Sequence, residues 1–146
     1  MINWKSQLEN FFNDKEIYKT LPESAEKQVS SFIEEILEPA FDKLVAELKE
    51  YGIDAVPLHN IKTARIPGLQ LIIKGNGSPT FKYQPKYSLI ENKIWVTVRI
   101  ISYDNERKEY HESTPLNSPL SAVDQAKVID DFVKAFTSKT KIVYAV

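Results

Sequence analysis

Between Thr20 and Gly52 the apolar residues fall at Val29, Phe32, Ile33, Ile36, Leu37, Ala40, Phe41, Leu44, Val45, Leu48 and Tyr51. Spacings of three and four put these residues on one side of an α-helix. Thr20 and Glu23 have capping-box spacing, in which a hydroxyl and a carboxylate satisfy amides that the first turn leaves unpaired. Gly52 can take the left-handed conformation that ends a helix. Pro39 interrupts the run, because it has no N–H and its ring crowds the carbonyl of Glu35. The expectation is one long helix kinked near Leu37–Glu38, or two helices meeting there.

After Gly52 the period changes from about 3.6 to 2. Ile53–Val56 has the composition of a short strand ended by Pro57, and His59–Pro67 reads as an edge strand or loop. Gly68–Lys74 and Thr80–Ile90 read as strands separated by the turn Gly75-Asn76-Gly77-Ser78. Phe81, Tyr83, Tyr87 and Leu89 share one face, and Pro85 asks for a bulge or an edge because it cannot donate to a ladder. In Lys93–Tyr103, Ile94, Val96, Val98 and Ile100 alternate with Trp95, Thr97, Arg99 and Ile101, the strongest strand pattern in the chain. Asp104-Asn105-Glu106 turns it into Arg107–His111. Thr114–Pro119 reads as a proline-containing loop. Ser121 and Asp124 open a closing helix with Ala126, Ile129, Phe132, Val133 and Phe136 on its apolar side, and Ile142–Val146 reads as a last strand or a docked tail. At the other end, Trp4, Leu8, Phe11 and Phe12 predict a short helix over Asn3–Phe12 with Trp4 as its anchor.

The expected fold is therefore α+β. A long, Pro-kinked helix packs on an antiparallel β-meander of about four strands, flanked by short N-terminal and closing C-terminal helices. At 146 residues the simplest expectation is one domain covering 1–146. Cystatin-like folds, secretion chaperones and double-stranded-RNA-binding domains share this general plan, but no motif ties the chain to any of them.

Charge adds a division that hydropathy does not show. Residues 1–61 hold 6 Lys+Arg against 12 Asp+Glu, whereas residues 62–108 hold 9 against 3, within a chain whose net charge is -1. The helical part is acidic and the sheet is basic, a pattern that marks partner surfaces or two halves that attract each other. Glu34, Glu38 and Asp42 form an i+4 stripe of like charge, for which Lys82, Lys86 or another chain is the expected compensation.

Chemistry-bearing motifs are scarce. There is no cysteine, so no disulfide framework, thiolate metal site or cysteine nucleophile can form. His59 and His111 have no ligand spacing, and a metal site would need both to converge with Glu109 or Glu112. Asp104, Glu109 and Glu112 are the carboxylates that could flank a cleft. No G-x-S-x-G, P-loop or dinucleotide fingerprint is present. The reading therefore names no catalytic residue, no metal ligand and no cofactor, and leans away from an enzyme. With no basic n-region and no apolar run of bilayer length, the expectation is a cytoplasmic chain that engages no membrane.

The alternation itself supplies a candidate site. If Tyr83 and Val96 face a core, Lys82, Lys86, Trp95, Arg99 and Tyr103 share the opposite face. Cations beside aromatic rings suit a protein partner or self-association, and they also suit single-stranded nucleic acid. Burial under terminal helices is the remaining possibility. The function expected is a small non-enzymatic protein that engages another macromolecule in an adaptor, chaperone-like or immunity-like role. The alternative is a ligand-binding or enzymatic domain whose pocket, between helix and sheet, is lined by Phe41, Tyr51, Tyr83 and Tyr87. Nucleic-acid binding through the basic, aromatic sheet face is the third reading.

Overall fold

The computed structural model describes residues 4–5, 23–59 and 68–144. Most of the expected Asn3–Phe12 helix, the Thr20 cap and the segment after His59 lie outside them. Trp4, placed by sequence as a packing anchor, is 62 % exposed.

The long helical segment is continuous but not uniform. α1 (Glu23–Phe32) passes into a π-helical turn (Ile33–Leu37) and then into α2 (Glu38–Glu50). Pro39 explains the irregularity. The amide before it, that of Glu38, donates five residues back to the Ile33 carbonyl, so the turn widens instead of breaking. Proline leaves the Glu35 carbonyl without its usual helical donor. The Gln125 side chain supplies one at 3.4 Å, and the same side chain accepts from Lys43 Nζ at 2.8 Å. The irregularity falls at Leu37–Glu38, where sequence placed a kink or a meeting of two helices, and it takes the form of a π-helical turn. At the C-terminus the amides of Gly52 and Ile53 return to the carbonyls of Lys49 and Leu48. Gly52 has φ +75°, which makes this a Schellman closure.

The sheet has five antiparallel strands rather than about four, in the order β1-β2-β3-β4-β5. They are β1 (Asp54–His59), β2 (Leu69–Gly75), β3 (Ser78–Ile90), β4 (Lys93–Tyr103) and β5 (Glu109–Pro119). Two-residue turns at Asn76-Gly77 and Glu91-Asn92, all with positive φ, join β2 to β3 and β3 to β4. That twist matches the twist of the strands they connect. Among the described residues β2 pairs with β3 no further along than Tyr83, so Pro85 sits where only β4 is paired, a place that does not need its missing N–H. β1 continues through Pro57 because it is an edge strand. The expected loop Thr114–Pro119 is instead the second half of β5, beyond an irregularity opposite Thr97–Arg99.

A 3-10 turn (Leu120–Ala122) leads to α3 (Gln125–Tyr144). Asp124 caps that helix by accepting from the Lys127 amide at 2.8 Å, so the carboxylate is the cap itself and not the far member of a box begun by Ser121. The helical backbone continues through Ile142–Tyr144, where a strand or tail was expected. The three helices pack on one face of the sheet. Val29, Leu37 and Phe41 meet Leu71, Phe81, Tyr83 and Val96, and Phe132 and Phe136 of α3 close the layer.

Candidate binding face

β3 and β4 pair along most of their length, and their alternation divides the sheet into two unlike sides. On the inner side Phe41 meets Tyr83 edge-on at 6.0 Å between ring centroids, and Phe132 meets Tyr83 at 5.4 Å and Phe81 at 5.9 Å. Phe32 meets Tyr87 in the same way at 6.1 Å. This is the space in which sequence placed a pocket. Side chains fill it, so Phe41, Tyr83 and Tyr87 are core residues, while Tyr51, at the end of α2, is 73 % exposed and joins none of them.

One polar pair lies inside that core. The Tyr83 hydroxyl donates to Asp131 Oδ2 at 2.6 Å. Burial, and then the neighbouring Asp131 carboxylate, push the Tyr83 phenol far above its ordinary value. Burial does the same to Tyr87, whose hydroxyl has no hydrogen-bond partner among the described residues. Both rings are thus held neutral through the ordinary pH range.

The outer side carries Lys82, Lys86, Trp95, Arg99 and Tyr103, the five residues that sequence grouped. Register places Ser88 opposite Trp95, Lys86 opposite Thr97, Gln84 opposite Arg99 and Lys82 opposite Ile101. Lys86 and Arg99 are exposed diagonal neighbours, and neither has an ion-pair partner among the described residues. Desolvation, and then the Arg99 charge, hold the Lys86 ammonium below its ordinary value. Trp95, Lys82 and Tyr103 are half-buried. Beside them Gln84 Nε2 donates to Gln70 Oε1 at 2.8 Å, and Gln84 Oε1 is buried without a donor. Ile72 and Ile101, each 8 % exposed, point to this same side and stand apart from the helix-covered core. Among the described residues no helix packs on it.

Arg107, which sequence did not single out, completes one end of this face. The loop after β4 is tied by Asp104, whose Oδ1 accepts from the amides of Glu106 and Lys108, both at 2.9 Å. Those bonds, that of Lys108 first, hold the Asp104 carboxyl below its ordinary range. With φ +65° at Arg107, the loop sends its guanidinium over the Tyr103 ring, 4.7 Å from the centroid, where it also donates to the Pro79 carbonyl at 2.8 Å. Lys82 Nζ stands 5.7 Å from the same ring. Opposite Tyr103, Glu109 pairs with His111 at 3.0 Å, and that bond is the main reason its carboxyl is lowered. A five-residue loop after a strand ending in tyrosine is the only sequence signal that could have pointed to Arg107.

The other expected convergences do not form. Asp104 serves its own loop, Glu109 serves His111, and Glu112 alternates to the opposite side of β5. His59 is 3.3 Å from Glu38 and far along the sheet from His111. Lys82 and Lys86 do not compensate the Glu34–Asp42 stripe of their own chain, because the sheet lies between them. Among the described residues no group of three or more metal-ligating side chains comes together, and no helix is long and apolar enough to cross a membrane. Elsewhere, the described residues line two further concavities. A groove of about 630 Å³ lies between α1, the π-helical turn and the β5–α3 connection, walled by Phe32, Ile36, Ile94, Leu120 and Val123. A smaller one, of about 430 Å³, lies at the α2–β1 junction.

Compared with known proteins, the chain matches no protein-family profile, no curated protein and no solved structure.

Proposed function

We propose that this chain is a small non-enzymatic binding protein that engages another macromolecule through the outer face of its sheet. The observation that carries this reading is the unpaired Lys86–Arg99 couple beside half-buried Trp95 on a side where no described helix packs. Holding two cations side by side costs stability unless something neutralises them, and tryptophan and arginine are the usual anchors of interfaces. The sheet edges are poorer candidates. β1 contains Pro57, and β5 contains Pro115, Pro119 and a register break, devices that prevent strand addition. An adaptor, chaperone-like or immunity-like role is compatible with a site of this kind.

Site-specific photocross-linking in a native extract tests the reading. A photoreactive phenylalanine analogue at Thr97, on the outer face, is compared with one at Glu47, on the exposed side of α2. The expected result is an adduct at position 97 alone. Excess wild-type chain competes it away, and a folded Trp95→Ala, Arg99→Ala competitor does not. Equal adducts from both positions, or equal competition by both chains, removes the outer face as the site.

The groove beside the π-helical turn supports a second reading, a small-ligand site. Its volume lies in the range of ligand pockets, its walls are apolar, and Lys93, Ser31 and Ser121 stand among its lining residues. A thermal-shift screen of metabolites, with Ile36→Trp as the variant that fills the groove, examines it. Stabilisation by a compound in both chains alike would exclude the groove.

A further inference from the structure

The binding reading leaves the partner's chemistry open, and the outer face narrows it. Two classes of polymer can neutralise Lys86 and Arg99: a nucleic acid through its phosphates, or a protein segment through its carboxylates. They differ in what else they require. Single-stranded nucleic acid gains much of its affinity by stacking bases on open aromatic rings. On this face the Tyr103 ring already carries Lys82 and Arg107, at 5.7 and 4.7 Å. Among the described residues Trp95 remains as a single half-buried ring on this face, with no run of platforms along which successive bases could stack.

The apolar residues of the face point the same way. Register puts Val56, Ile72, Lys82 and Ile101 in one row across four strands. The adjoining row holds Leu58, Gln70, Gln84 and Arg99, and the next holds Lys86 and Thr97. Half-buried Val56 and exposed Leu58 therefore share this side with the cations, in rows about 7 Å apart along the strands. Phosphate and sugar bury nothing useful on Leu58, which is 44 % exposed. A peptide that alternates acidic and aliphatic side chains satisfies both rows at once.

We propose that the outer sheet face docks an acidic, amphipathic protein segment, with carboxylates on Lys86 and Arg99 and aliphatic side chains against exposed Leu58 and half-buried Trp95. This rests on the outer-face reading given above. Removing either half of the pattern from the partner should weaken binding. The charged half governs the salt dependence, and the apolar half governs what survives at high salt.

The test uses the full chain and three labelled probes followed by fluorescence anisotropy: a short peptide alternating glutamate and leucine, its lysine–leucine counterpart, and a single-stranded oligothymidylate. The expected result is that the glutamate–leucine peptide binds, that binding weakens as salt rises, and that a folded Lys86→Glu, Arg99→Glu variant loses about ten-fold or more in affinity. That charge-reversed variant should instead gain affinity for the lysine–leucine peptide, a change that mere loss of structure cannot produce. Equal binding of the acidic peptide by wild type and variant overturns the assignment of Lys86 and Arg99. Oligothymidylate that binds and displaces the peptide overturns the acidic partner in favour of nucleic acid and leaves the outer face standing as a site. No binding of the peptide, together with position-97 photoadducts, rejects the acidic partner alone. No binding and no adducts rejects the outer-face reading as well.

Discussion

The two sides of this sheet are built from the same strands and behave as different materials. The inner side is aromatic and close-packed, and its one polar pair, Tyr83 with Asp131, is satisfied within the fold. The outer side mixes aliphatic, aromatic and cationic groups and leaves two charges and the Gln84 carbonyl oxygen without partners among the described residues. Alternation alone produces the division, because one residue of shift sends every side chain to the other side. The difference shows where stability ends and recognition can begin. Groups whose polar needs are met belong to folding, and groups whose needs are unmet are available to something else.

If that division is right, substitutions on the two sides should separate cleanly. The largest effect belongs to Phe132, which touches Phe81, Tyr83 and Phe136. Phe132→Ala should cost about 3–5 kcal/mol in urea unfolding, through lost burial and the cavity left behind. High pH comes next. A tyrosine whose native pKa is raised stays protonated in the folded state while the unfolded chain ionises near pH 10, so stability is whole below about pH 10 and falls as pH climbs past it. Tyr83 and Tyr87 together should give a slope of about 2.7 kcal/mol per pH unit there, and each Tyr→Phe change should halve it.

At neutral pH those two tyrosines should part company. Tyr83→Phe strands the buried Asp131 carboxylate and should cost about 1.5–3 kcal/mol. Tyr87→Phe removes a hydroxyl that has no partner and should be neutral or stabilising by up to about 1 kcal/mol. Equal losses from both changes would mean that Tyr87 bonds to something, such as a trapped water. The smallest effect lies on the outer side. Lys86→Gln removes a repelling neighbour of Arg99 and should raise stability by a few tenths of a kcal/mol, less as salt is added. A large loss from this change would place Lys86 in the structural layer and erase the distinction.

Much of the fold was legible because strong periods are hard to disguise. The inward set of β3 and β4, the Asn76-Gly77 turn and the Gly52 closure could all be read from residue type and spacing. β5 could not. Glu109–Pro119 has no alternation and holds two prolines, and it becomes a strand because the long edge of β4 offers hydrogen bonds to pair with. The buried side of α3 was misjudged for a related reason. Val128, Phe132 and Ala135 line it, with Asp131 among them, and a carboxylate reads as surface until Tyr83 is known to stand opposite. Val133, placed inside by spacing, is exposed. At the site, parity grouped the five outer residues, but their surroundings were invisible: only tertiary structure brings Arg107 over Tyr103 or leaves Lys86 beside Arg99.

The strand order also bears on how the chain assembles in time. Every strand pairs with its neighbour in sequence, so the hairpins β2–β3 and β3–β4 close short loops and can form quickly once each is synthesised. The core cannot. Phe132, Asp131 and Gln125 all reside on α3, made after the whole sheet, and they supply the rings that cover Phe81 and Tyr83, the acceptor for the Tyr83 hydroxyl and the donor for the Glu35 carbonyl. Until α3 emerges, a growing chain would carry formed hairpins with an uncovered aromatic face, the interval in which such a chain is most open to aggregation or to capture by a folding helper.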